Sequence, residues 1–219
     1  MPRVSREQTD INRLAIEDAS SRLFREQGIK AVSVADLMAA AGLTHGGFYG
    51  HFESKDALAA VACAKAFAHS AGRWEKRLGG SLQPAGLAGL FEAYLSQNSC
   101  NNPGAGCPIV GLGVDVAREP ADKPIHAAYL GGLQQLVGLL EAAQATGDAE
   151  ADRSRTLVQM STLVGAMVLA RATRGDAISG EILGAARSHL VQAAAEALPA
   201  SSTASSTADK PKRPRSTKH

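Results

Sequence analysis

Aromatic residues are scarce in this chain, at 4% of the sequence with a single tryptophan. A β-sandwich or barrel relies on aromatic and β-branched side chains to fill its pleated faces. Their scarcity points instead to closely packed helices, and alanine, leucine and glycine dominate the composition. Cysteine is sparse too. Cys63, Cys100 and Cys107 are an odd number in 219 residues and form no C-x-x-C pair. That excludes a disulfide framework and speaks against a structural zinc site. No charge-free apolar run reaches the 18 residues of a membrane span. The opening Met-Pro-Arg-Val-Ser-Arg-Glu lacks the apolar stretch of a signal peptide. A cytoplasmic protein with no membrane partner, no cofactor and no metal is therefore expected.

A strong charge of either sign is missing as well, since the net charge is +2. Residues 1–55 carry seven basic and seven acidic side chains, and residues 56–198 carry eleven and thirteen. Only residues 199–219 are strongly basic, with five against one. That tail is Ser/Thr/Ala followed by Lys/Pro/Arg, a composition that cannot bury a core. Any nucleic-acid contact must come from a local arrangement on one face.

What is present is a regular series of helix signals. Apolar residues at Ile11, Leu14, Ala15, Ala19, Leu23 and Phe24 recur at three- and four-residue steps. They predict a helix over 11–27, capped by Asp10 and ended by Gly28. Ser33 with Asp36 predicts a capping box for a second helix that ends at Gly42. Thr44 is placed to cap a short third helix to Gly50, and Ser54 a fourth over 55–78. Residues 79–86 read as a loop. Further helices are predicted over 87–99, 109–117, 125–144, 152–174 and 179–198, with breaks at the Gly/Pro-rich 101–108 and at 120–124. The last two are rich in small residues (Ser161, Gly165, Ala166 and Ala170; Gly184, Ala185, Ala186, Ala193 and Ala194), which lets helix axes approach closely. No strand pattern competes.

Residues 42–55 read Gly-Leu-Thr-His-Gly-Gly-Phe-Tyr-Gly-His-Phe-Glu-Ser-Lys. A short helix, a glycine turn and a second short helix form the outline of a helix-turn-helix, whose second helix enters the DNA major groove. The order G-L-T-x-G-x-F-Y-x-H-F-x-x-K resembles the DNA-binding domain of TetR-type transcriptional regulators over residues 10–58. Thr44 and His45 sit where base edges are read, and Gly46 and Gly47 where the backbone approaches closely. By that resemblance Tyr49, His51 and Lys55 contact phosphates. Ser33 is a further phosphate candidate through its hydroxyl and the helix dipole. Phe48 and Phe52 are expected to pack underneath. Met38 and Gly50 depart from the usual pattern, and Met38 is expected to tilt the two helices slightly.

The resemblance implies an all-α fold of about nine helices. A helix-turn-helix domain of three helices over 1–54 precedes a helical effector-binding and dimerisation domain over 55–198, then the basic tail 199–219. It implies an effector-responsive regulator, expected to be a repressor, that binds a palindromic double-stranded operator as a homodimer. The effector is expected to be a small apolar or electrophilic molecule. Phe67, Trp74, Phe91, Tyr94 and Tyr129 suit an apolar cavity, and Met160, Leu163, Val164 and Met167 suit either that cavity or the dimer interface. Cys107, in Gly-Ala-Gly-Cys-Pro before a helix start, is a redox-sensor candidate, because helix N-termini depress thiol pKa. Some electrophile-responsive TetR-type repressors carry a similar element. Cys100 is a possible resolving thiol, and Cys63 reads as core.

Two other classes stay in view. A small all-α enzyme would draw on His126, His189, Asp115, Glu119 and Cys107. Their spacing is not diagnostic, and His-Glu-x-x-His, P-loop and Gly-x-Ser-x-Gly motifs are missing. A constitutive DNA-architectural protein would use the basic tail, but would not need so large an apolar C-terminal portion.

Overall fold

The computed structural model describes residues 5–79 and 84–197. The basic tail with Lys210, Lys212, Arg213, Arg215 and Lys218, part of the 79–86 loop and the predicted helix end at Leu198 lie outside the described residues. The described residues form nine α-helices, with no strand among them. They are α1 (Arg6–Gln27), α2 (Val34–Ala40), α3 (Lys55–Leu78), α4 (Pro84–Tyr94), α5 (Gln97–Asn101), α6 (Pro108–Arg118), α7 (Pro124–Ala142), α8 (Ala149–Ala172) and α9 (Ala177–Ala197). Two 3-10 turns, His45–Gly50 and Pro103–Ala105, complete the path.

Local chemistry explains most boundaries. Ser54 accepts the Ala57 N–H at 3.0 Å and starts α3 at Lys55. Ser33 and Asp36 exchange bonds in a full capping box at α2. Gly28 and Gly42 end their helices with φ of 86° and 73°, a region that disfavours side chains with a Cβ. Asp148 caps α8 through the Ala151 N–H.

Several expectations are corrected. The first helix begins five residues early, because Ser5, not Asp10, is its N-cap and accepts the Gln8 N–H. Its inward face is also different. Ile11 and Leu14 are more than half exposed, while Ile16, Ala19, Leu23 and Phe24 are buried. The segment predicted as one helix over 87–99 is two, since Ser96 caps a new helix against the Ser99 N–H. The element after Thr44 is a 3-10 turn, and the Thr44 hydroxyl makes no capping bond. Its carbonyl instead accepts the Gly47 N–H at 3.1 Å.

Buried apolar side chains form a continuous core from Ile16 on α1 to Ala194 on α9. Helix α3 runs through its centre and shares its largest interface with α7. Gly132 makes that approach possible: a Cβ there would stand 2.1 Å from Phe67 Cγ. Three polar links tie the N-terminal unit to α6 and the start of α7. Asp115 Oδ2 accepts the Ile29 N–H at 2.9 Å, Lys30 pairs with Glu119 at 3.0 Å, and Lys123 pairs with Asp56.

Candidate nucleic-acid interface and internal cavity

The turn His45–Gly50 is fixed from below and open above. Phe48 and Phe52 are buried and pack 6.0 Å apart, with the Tyr49 ring edge-on to Phe48 at 5.2 Å. Thr44, His45, Gly46 and Gly47 are exposed, as is Tyr49 at 72%. Gly46 and Gly50 have nothing within 4 Å of a Cβ, and neither has a positive φ. Nothing inside the protein therefore requires glycine at either position. Gly47 lies over buried Met38, whose Cε would meet a Cβ there at 3.5 Å. The large residue at 38 and the small one at 47 fit each other.

The other positions differ in availability. The Ser33 hydroxyl donates to Asp36 Oδ2 at 2.6 Å, and its N–H donates to the same oxygen at 2.9 Å. These bonds hold the Asp36 carboxyl below the usual carboxylate range. The hydroxyl expected to meet a phosphate is thus engaged by a carboxylate. His51 is half-buried and its carbonyl accepts Arg13 Nη1 at 2.7 Å. Lys55 is half-buried at the first turn of α3 and makes no salt bridge among the described residues. Arg13 was not singled out in the sequence. Its guanidinium sits 4.4 Å above the Phe52 ring and next to His51, on the rim of the same surface. Its place one turn before buried Ile16 and half-buried Glu17 gave no signal, because only the fold brings it to His51.

The cavity nearest the sequence-predicted pocket has a volume of about 80 Å³ between α3, α4, α8 and the 3-10 turn before α6. It brings together Trp74, Tyr94, Met167 and Cys107 from the predicted set. It does not include the others. Phe67 packs edge-on to Tyr129 at 5.4 Å, and Phe91, Met160 and Leu163 are core. The predicted apolar lining is corrected too, because Arg73, Arg77 and Arg171 line the same space. The sequence held a signal for two of these. Cys63, Ala66, Phe67, Ser70 and Trp74 form a buried stripe of α3, and half-buried Arg73 and exposed Arg77 follow it at helical steps along its edge.

Burial decides the chemistry of the groups around it. The Cys107 thiol accepts favourable interactions from Tyr94 and from the Ile109 and Val110 backbone at the start of α6, yet burial outweighs them and pushes its pKa up. The expected depression by the helix terminus is therefore reversed. The Cys63 thiol is pushed up to about 12 by burial alone. Burial raises Tyr94 well above the ordinary phenol value, and its hydroxyl has no nitrogen or oxygen partner. Arg25 behind the cavity is lowered to about 10 by burial. It spends its donors on Ser21 O, Ser21 Oγ and Gly106 O.

The pieces of an alternative all-α enzyme are scattered in other roles. Asp115 accepts the Ile29 N–H, Glu119 pairs with Lys30, the His126 ring meets the Glu119 carbonyl at 3.0 Å, and His189 is exposed. Among the described residues no three His, Cys, Asp or Glu side chains gather as a metal site would need. No described helix is long and apolar enough to cross a membrane.

Comparison with known proteins agrees with this geometry. Residues 16–62 match the family described as bacterial regulatory proteins, tetR family. Over 58 residues the chain is 36% identical to the HTH-type transcriptional regulator AcrR of Shigella flexneri, a stretch covering 26% of this chain and 27% of that relative. The match thus spans about a quarter of the curated relative. Among solved structures, the reduced form of E. coli NemR superposes with a TM-score of 0.68 at 21% identity, over 82% of this chain and 95% of that one. A TetR-family regulator from Agrobacterium tumefaciens superposes with a TM-score of 0.71 at 18% identity, over 84% and 98%. FadR of Bacillus subtilis, solved with stearoyl-CoA, gives 0.60 at 15%, over 81% and 97%. The structural likenesses establish the shared fold, and the N-terminal match establishes the DNA-reading unit. Residues 16–62 thus carry a module of the tetR family of bacterial regulatory proteins, set in a chain that shares the all-helical fold of TetR-family regulators.

Proposed function

We propose that this regulator is a repressor that binds a palindromic operator as a homodimer and leaves it when an effector occupies the domain over 55–198. The observation that carries the DNA reading is the exposed 44–49 surface, whose Gly46 is required by nothing inside the protein. A glycine there serves close approach of the backbone to the duplex. Thr44 and His45 read base edges and Tyr49, His51 and Lys55 hold phosphates; Ser33, whose hydroxyl and N–H are both taken by Asp36, acts on a phosphate through the dipole of α2.

The dimer reading rests on the outer face of α8. Leu157, Val158, Val168 and Leu169 are exposed, Ser161 and Gly165 lie on the same face, and among the described residues nothing beyond its own helical turn lies within 4 Å of a Cβ at Gly165. With exposed Ile178 on α9 this apolar, small-residue face suits a two-fold pairing of α8 and α9 with their copies. Of the small residues noted on α8, Ser161 and Gly165 face outward, while Ala166 and Ala170 are buried. Selection from random duplexes tests the whole reading. Enriched inverted repeats are expected, with a log–log salt slope of roughly −0.9 per phosphate neutralised; random recovery would reject it.

Two triggers are distinguished by mutation. NemR was solved in a reduced form, and Cys107 is the candidate thiol here. Cys107→Ser should abolish release by quinones or hypochlorite and spare release by a reversible ligand. An oxidant response intact in the serine variant would leave only the ligand reading. A chain as long as the stearoyl group bound by FadR would not fit about 80 Å³ without opening the cavity.

A further inference from the structure

The cavity beside Cys107 holds more positive charge than the chain compensates. Arg73, Arg77 and Arg171 line it, and no aspartate or glutamate does. Among the described residues none of the three lies in a salt bridge, nor does Arg25 behind them. The nearby Glu26 is paired with Arg22 at 2.9 Å. Arg73 makes one bond, to Ser70 Oγ at 2.9 Å, and Arg171 one, to Ser99 O at 3.0 Å. A guanidinium has five N–H donors, so most are spare. Arg171 Nε is buried with no partner, and the Tyr94 hydroxyl, on a side chain only 8% exposed, has none among nitrogens and oxygens. The backbone makes room for this arrangement: a Cβ at Gly106 would stand 2.5 Å from Arg171 Nη2.

Partly buried charges without counter-charge are costly, and removing water from them is repaid only by a partner. We propose that this cavity is an anion site for small organic carboxylates, held by Arg73 and Arg171 with the Tyr94 hydroxyl as a further donor. Carboxylate is favoured over phosphate because Trp74, Leu90 and Met167 share the lining. A dianionic phosphate would set unpartnered oxygens against them, whereas a short apolar tail fits. The volume of about 80 Å³ admits roughly five to eight water-sized groups, which limits the ligand to a few carbons or one ring. Cys107, neutral at pH 7 because burial raises its pKa, adds no repulsion. That such a carboxylate also releases DNA rests on the effector reading above; its binding does not.

The test uses the full chain and calorimetric titration at fixed ionic strength. Sodium butyrate and benzoate are compared with butyramide and benzamide, their uncharged counterparts. At least one acid is expected to bind at least tenfold more tightly than its amide. Arg73→Gln, which gives up only the bond to Ser70, should weaken that acid about tenfold to a hundredfold, and Tyr94→Phe several-fold. Equal affinity of acid and amide, no binding of either acid, or unchanged affinity in Arg73→Gln would overturn the proposal. An operator-release assay separates the two readings. Acid binding without release upholds the anion site and removes the effector role. Release by an amide, undiminished in Arg73→Gln, upholds the effector role and overturns the anion site.

Discussion

Replacing Gly132 with alanine tests the close approach of α7 to α3. A methyl at that position would stand 2.1 Å from Cγ, 2.4 Å from Cδ2 and 2.6 Å from Cβ of Phe67. Ordinary carbon contacts lie near 3.5 Å, so α3 or α7 must yield by about 1.4 Å. Phe67 is 1% exposed and pinned edge-on by Tyr129, so its ring has nowhere to turn. Overpacking of this kind costs about 1–3 kcal/mol, occasionally more. A helical Gly→Ala change also gains about 1 kcal/mol of intrinsic propensity. The neighbouring Gly131 cancels that gain, because it lies on the same helix with nothing within 4 Å of its Cβ. The difference between Gly132→Ala and Gly131→Ala isolates the contact. It should separate their melting temperatures by roughly 2–12 °C, at the 2–4 °C per kcal/mol typical of chains this size. Both proteins are melted at one concentration, since any self-association makes the midpoint concentration-dependent. Equal midpoints would show that α3 and α7 do not approach as described.

Gly46→Ala should leave the melting temperature unchanged or slightly raised, yet weaken operator binding at least tenfold, about 1.4 kcal/mol; unchanged affinity in a filter-binding or anisotropy titration would refute the close-approach role. Asp115→Ala strands the Ile29 N–H and should cost about 1–3 kcal/mol, whereas Asp115→Asn keeps an acceptor and most of the stability; chemical denaturation of the pair decides this. Because burial raises the Cys107 pKa, its thiolate at pH 7 should fall below the few per cent of a free thiol. Iodoacetamide labelling of the Cys107 peptide, followed by mass spectrometry, should be slower than that of glutathione and should accelerate as pH rises past 9. Labelling faster than glutathione at pH 7 would contradict the burial argument.

The helical fold was legible because its punctuation is chemical. Ser33, Ser54, Gly28 and Gly42 mark boundaries by hydrogen bonding and by φ, properties that act within four residues and need no tertiary context. The packing of Phe48 and Phe52 beneath the 44–49 stretch was legible for the same reason, because that stretch is short and continuous. Capping failed where two residues competed, as Ser5 did with Asp10, and where a 3-10 turn replaced an α turn at Thr44. The cavity was the least legible part. Its lining comes from 70–77, 90–107 and 167–171, segments that only packing brings together. Aromatic residues were taken as its markers, yet Phe67 and Phe91 went to the core while Arg73 and Arg77, beside the apolar stripe of α3, reached the cavity. Binary patterning does not foresee a charged residue placed inward. The thiol pKa was misjudged because a helix N-terminus is visible in sequence and burial is not.

The contact between Phe67 and Gly132 falls near the middle of α3, and that position makes the helix a balance beam. From Phe67 the axis runs about 18 Å to Lys55 at the edge of the DNA-reading unit, and about 15 Å to Arg77 at the cavity mouth, at 1.5 Å per residue. The arms are nearly equal, so a helix rocking on this fulcrum transmits motion at roughly one-to-one and in the opposite sense. A ligand that draws the Arg73–Arg77 end inward by 1 Å would swing the Lys55 end outward by about 1.2 Å, and two copies facing a duplex would change their span by up to twice that. A rise of one base pair is about 3.4 Å, so tilts of a few degrees suffice to lose register between half-sites.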